Sequence, residues 1–64
     1  MMKIKKVTFW DIIYANDKAK NKSAIESLNE YIIKKQISKC DVINIEISND
    51  SGNYCLNLFY WESE

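Results

Sequence analysis

At 64 residues the chain reads as one domain, spanning 1–64, and a chain this short buries only roughly 60% of the surface its unfolded form exposes, so its core is marginal without a disulfide, a metal or a partner subunit. Nine lysines balance nine acidic residues, with no arginine and no histidine; zero net charge argues against a dedicated binder of duplex nucleic acid and against an acidic mimic of it. Two cysteines, Cys40 and Cys55, with no Cys-x-x-Cys spacing, fit neither a secreted disulfide scaffold nor the usual zinc sites, so both read as reduced, inert thiols, with no metal and no cofactor expected.

The longest apolar run is far too short to span a bilayer, and no apolar stretch follows the lysines of Met1 to Lys6. No membrane association is expected, and the cytoplasm is the expected location. Richness in Lys, Ile and Asn suggests an AT-rich genome, such as that of a low-GC bacterium or its phages.

The first periodic segment, Ile4 to Trp10, is rich in β-branched and aromatic residues and alternates, which predicts a strand. Val7 and Phe9 point to one face, Thr8 and Trp10 to the other. Ile12, Ile13 and Tyr14 follow, placed to cover the end of the sheet. The polar stretch 15–22 holds Lys18, Lys20 and Lys22 and predicts a loop or a loose helical turn. Ser23-Ala24-Ile25-Glu26 fits a capping box and starts a helix expected to reach about Gln36. Its apolar stripe is read as Ile25, Leu28 and Ile32, with Tyr31 and Ile33 at the flanks and Lys34 and Lys35 in the last turn.

Val42 to Ser48 alternates almost without interruption and predicts a second strand. Asn49 to Asn53 supplies turn residues, including the single glycine, Gly52, and Tyr54 to Trp61 predicts a third strand that closes a hairpin. Pairing Ile47 with Tyr54, Ile45 with Leu56 and Ile43 with Leu58 gathers the isoleucines and leucines on one face, with Tyr54 and Tyr60 at its ends. The other face then carries Val42, Asn44, Glu46, Cys55, Asn57, Phe59 and Trp61, joined by Thr8 and Trp10. The fold class that follows is α+β. It is a β-α-β-β chain with a three-stranded antiparallel sheet in the order 1-3-2, and one helix packs on one face.

One helix covers one face, so Trp10, Phe59 and Trp61 are expected on an open surface, the mark of an interface or a ligand groove. Two uses are weighed. The rings pack between subunits of a homo-oligomer, or they stack on a planar ligand at a subunit boundary. Asn44 and Asn57, expected opposite each other, either read the polar edge of such a ligand or bond to each other. Lys18, Lys20 and Lys22 precede a helix N-terminus, whose free N–H groups and dipole favour an anion, so a phosphate site is considered beside a plain solvated loop. With no histidine, no phosphate-binding glycine loop and no nucleophile elbow, no catalytic residue is assigned and no enzyme is expected. Asp11 and Asp17 form at most a solvated carboxylate pair.

Three segments, Ala24 to Tyr31, Val42 to Ser48 and Tyr54 to Glu62, give the chain an element order that resembles a small sporulation-associated protein family of Bacillus-type bacteria. The resemblance lies in apolar alternation and implies a structural role with no activity to carry over. The order is also similar to that of the dodecins, flavin-binding βαββ proteins that assemble as hollow dodecamers. That likeness implies planar ligands stacked on tryptophans at subunit boundaries, although Trp10 and Trp61 do not stand just before the second strand, where the dodecin tryptophan lies. Tiny oligomeric phage proteins that sequester nucleotide signals share the same general character.

The leading expectation is thus a non-catalytic homo-oligomer that binds an anionic aromatic molecule such as a nucleotide. Trp10, Phe59 and Trp61 would stack, Asn44 and Asn57 would read the edge, and Lys18, Lys20 and Lys22 would meet phosphate. The alternatives are a protein–protein or inhibitor module using the same aromatic face, and a sporulation-associated structural protein.

Overall fold

The computed structural model describes residues 1–50 and 52–63, without the side chain of residue 50. Strand β1 (Met2–Trp10), helix α1 (Ala24–Lys35), strand β2 (Val42–Asp50) and strand β3 (Asn53–Ser63) follow in that order, with short 3-10 turns at Lys18–Lys20 and Lys39–Asp41. The sheet is antiparallel throughout, in the order β1-β3-β2. The most apolar strand is therefore central, and this α+β architecture is the expected one.

The helix begins where the sequence says it should. Ser23 caps it, its hydroxyl accepting from the Glu26 N–H at 3.2 Å. Glu26 reaches back to the Ser23 hydroxyl, 3.3 Å away. A second acceptor comes from outside the helix: the Asp11 carboxylate, just past β1, takes the Ala24 N–H at 2.7 Å. At the other end Gln36 adopts the left-handed conformation (φ 55°), and its N–H and that of Ile37 turn back to the carbonyls of the last turn. The buried stripe is Ala24 and Leu28, with Tyr31 and Ile32 packed beside the core. Ile25, expected in that stripe, lies at its edge and is exposed, because the helix rolls to seat the Tyr31 ring against Phe9 and Tyr60.

The core consists of Leu28, Leu58 and Tyr60, and Val7, Phe9, Val42 and Leu56 pack around it. Leucines of β3 thus face the helix, which places Phe59 and Trp61 on the opposite side. The pairing itself differs from the expected one by two residues: Ile47 meets Leu56, Ile45 meets Leu58 and Asn44 meets Phe59. Parity survives because a two-residue slip keeps every side chain on its face. The slip arises at the turn, where Asp50 still pairs with Asn53, leaving a loop of only two positions. Gly52 holds φ +86° there, and its N–H donates to the Asn49 side chain at 3.2 Å. Ser51, the remaining turn residue of the expected set, lies outside the described residues.

A bulge between Val42 and Asn44 corrects a second assignment. It turns Val42 onto the core, where Ile43 was expected, and leaves Ile43 exposed. Ile12, Ile13 and Tyr14 are all exposed as well. Ile12 instead closes the lysine loop through a two-way backbone bridge with Lys22, at 2.7 and 2.9 Å.

The molecule measures 44 × 26 × 17 Å, with a radius of gyration of 13.3 Å. A compact chain of this length would have about 11 Å. The excess reflects a long, thin sheet covered by one short helix. No helix among the described residues is long and apolar enough to cross a membrane.

Candidate functional site: the helix-free face of the sheet

On the side away from α1, rows of side chains run across all three strands. Trp10, Cys55 and Ser48 form one row, and Thr8, Asn57 and Glu46 the next. Lys6, Phe59 and Asn44 follow, and Ile4 stands beside Trp61 at the far end. Trp10 and Trp61 are 46% and 42% exposed, and Ile4, beside Trp61, is exposed as well. Phe59 is half-buried, with the Lys6 ammonium 5.9 Å above its ring.

The centre of this face is polar and closed. Asn57 is only 6% exposed, and both ends of its amide are used. Its oxygen accepts from the Thr8 hydroxyl at 2.7 Å, and its nitrogen donates to the Ser48 hydroxyl at 2.9 Å. A buried amide without partners would be costly, so this three-strand clasp accounts for a polar residue in the middle strand. Asn57 therefore does not face Asn44, as the sequence suggested; Glu46 stands opposite it. Asn44 donates instead to the Glu46 carboxylate at 3.2 Å.

The expected site residues separate into two groups. Trp10 lies at the hairpin-turn end, beside Cys55, whereas Trp61 is six residues further along β3. At roughly 3.3 Å per residue the two positions are about 20 Å apart along the sheet, so the two tryptophans stand at opposite ends of the face and do not form one site. Phe59 and Trp61 are next-but-one neighbours on one face. Lys6, which sequence reasoning passed over, supplies the cation over Phe59; its alternation with Thr8 was the available signal.

The lysine loop does not join this group. Lys22 reaches the helix, its ammonium 2.7 Å from Glu30, and that hydrogen-bonded carboxylate holds the Lys22 pKa above the ordinary lysine value. Lys20 stands 3.9 Å from Asp17, and Lys18 begins the 3-10 turn that Asp17 caps. The helix N-terminus nearby already receives the Ser23 hydroxyl and the Asp11 carboxylate. A phosphate would have to displace an anion there. Asp11 and Asp17 are thus occupied in capping, and no group of three or more His, Cys, Asp or Glu among the described residues is arranged to hold a metal. Cys40 is exposed and Cys55 buried, and both are free thiols.

A chain of hydrogen bonds at the other end of the core was not legible in the sequence. The Tyr31 and Tyr60 hydroxyls are 2.8 Å apart, Tyr60 donates to the Glu62 carboxylate at 3.0 Å, and Lys5 meets the same carboxylate at 3.4 Å. Burial, then these bonds, push the Tyr60 phenol well above its ordinary value, while the Tyr60 hydroxyl and then Lys5 hold Glu62 below its own.

No protein-family model, no curated protein and no solved structure matches this chain. The site is therefore read from its own geometry.

Proposed function

We infer that this chain is a non-catalytic interaction module that docks another protein surface onto the helix-free face of its sheet. One observation carries the reading. Large apolar side chains (Trp10, Ile4, Trp61) stand exposed along about 20 Å of one face, around a central, buried amide whose oxygen and nitrogen are both engaged within the sheet. Rings spread over that distance suit a broad partner better than a single small molecule, whose sites are concave and convergent. Aromatic side chains of this kind are also the usual anchors of protein interfaces.

Site-specific photo-crosslinking tests this. A crosslinker at Thr8 or Asn44 should trap a partner in cells expressing the protein, whereas one at Asn29 on the outer side of α1 should not. Equal trapping at Asn29, or none at Thr8 and Asn44, would remove the reading.

The nucleotide-like ligand remains a second reading at one corner only, where the Lys6 ammonium lies over Phe59 and Trp61 stands two residues along the same face of β3. Native mass spectrometry with nucleotide mixtures checks it: a retained mass that disappears in Lys6→Ala supports the corner, and no retained mass ends it.

A further inference from the structure

We propose that copies of this chain join edge to edge, β1 of one against β2 of the next, so that their sheets run on as one. The two edges of the sheet are of opposite charge. Strand β1 carries Lys3, Lys5 and Lys6 and no acid, whereas β2 carries Glu46 and Asp50, with Asp41 immediately before it, and no base. Within the described sheet each of these strands pairs on one side only, with β3. Each therefore offers its outer N–H and C=O groups to another strand.

Pairing β1 with itself gathers lysines with no acid between them, and pairing β2 with itself brings no cation to Glu46, so neither gains from charge. Pairing β1 with β2 sets opposite charges together, and charge complementarity of this kind selects one register and one partner. Both strands run antiparallel to β3, so repeating the chain along the sheet makes the junction parallel.

The side chains match face by face. Lys6 and Glu46 both stand on the helix-free face, where their β3 partners are Phe59 and Asn57. A register that sets Lys6 beside Glu46 also sets Thr8 beside Ser48 on that face and Val7 beside Ile47 on the other. Ile47 gains most, being 72% exposed on the helix side because α1 packs on β1 and β3 and leaves β2 uncovered. The junction places it between its own helix and the helix of the neighbouring copy. Lys5 sits beside Ile45 in this register, able to lay its aliphatic stem over that residue while its ammonium stays near Glu62.

The chain exposes 5069 Å², about 800 Å² more than the roughly 4300 Å² typical of a monomer of its 7.6 kDa mass, so more of its surface is uncovered than is usual for one chain of this size. A head-to-tail contact either closes into a ring or runs on as a filament. In both, the helix-free faces line up into one continuous surface.

Light scattering coupled to size exclusion, with circular dichroism to confirm that each variant is folded, decides the matter. The wild type should elute above the 7.6 kDa of one chain, and Lys6→Glu and Glu46→Lys should each fall to the one-chain mass. Mixing the two variants, or combining them as K6E/E46K, should restore the assembly, since either route returns opposite charges to every junction. A one-chain mass for the wild type overturns the proposal. So does a Lys6→Glu protein that assembles like the wild type, which would mean pairing through β2 alone. Trp61→Ala should leave the assembled mass unchanged; loss of assembly there would place the contact on the face instead. Lys6 and Glu46 also border the helix-free face, so the Trp61→Ala control, which alters the face and neither edge strand, separates failure of the edge contact from failure of the docking function.

Discussion

Leu58 and Phe59 are neighbours in the chain and live in different solvents. Leu58 is fully buried beneath α1 with Leu28 and Tyr60, whereas Phe59 lies half-buried on a face that nothing covers. The same division runs along β3 from Leu56 to Tyr60. On the helix side the strand is held by apolar contact and the Tyr60 hydroxyl network, and on the other by a clasp of three polar side chains flanked by rings.

Coverage is incomplete even on the helix side, for a geometric reason. A helix is about 10 Å wide with its side chains, and strands are spaced about 4.8 Å apart, so one helix shields about two strands of three. Here the shielded pair is β1 and β3, and Ile45 and Ile47 of β2 remain exposed. The lesson is that a one-helix, three-strand domain has two unfinished surfaces, the open face and the uncovered strand, and both are available for partners.

The largest expected effect is on the covered side. Leu58→Ala should cost about 2–5 kcal/mol, comparable to the whole stability of a domain of this size, and Phe59→Ala well under half as much. Urea midpoints at an unchanged m-value check this; equal losses would erase the distinction between the faces. Next comes the clasp. Asn57→Ala should cost about 1–3 kcal/mol, because it takes the partner from the Thr8 and Ser48 hydroxyls and leaves a gap in the central strand. A neutral result would mean that the middle of the open face is wet and only the rings matter there.

Tyr60→Phe should cost about 1 kcal/mol and should change the alkaline limb of stability. Because the phenol is pushed up in the folded protein, its contribution is complete below the ordinary value of 10.0 and is lost as pH rises beyond it. The variant should unfold less steeply above that pH. Glu62 works in the opposite sense: its lowered pKa contributes above the ordinary 4.5 and is lost as pH falls below it, and Tyr60→Phe, by removing the main cause, should flatten that limb too. Thermal melts across pH measure both.

The smallest effect on stability belongs to Trp61→Ala, within about 0.5 kcal/mol, as for an exposed site away from the core. The same change should abolish trapping of a partner by a crosslinker at Asn44. A large loss of stability with trapping intact would make Trp61 a structural residue and move the contact elsewhere.

Local chemistry was sufficient for the elements and for the facing of the side chains along β1 and β3, though not for Val42, Ile43 and Ile25. Ser23 and Glu26 announce the helix, Gly52 the turn, and alternation along β3 assigns Leu58 inward and Trp61 outward, since period-two patterns depend only on which neighbours are apolar. Register is another matter. Pairing Ile47 with Tyr54 or with Leu56 gives the same pattern of faces, so alternation cannot choose between them; the two-residue loop at Gly52 chooses. The bulge at Ile43, the roll of the helix towards Tyr31, and the closing of Asn57 between Thr8 and Ser48 likewise depend on contacts between strands and helix that lie far apart in the chain. Tertiary structure alone also divided the expected site, because the distance between Trp10 and Trp61 is set by the length of β3 and not by any property of either residue.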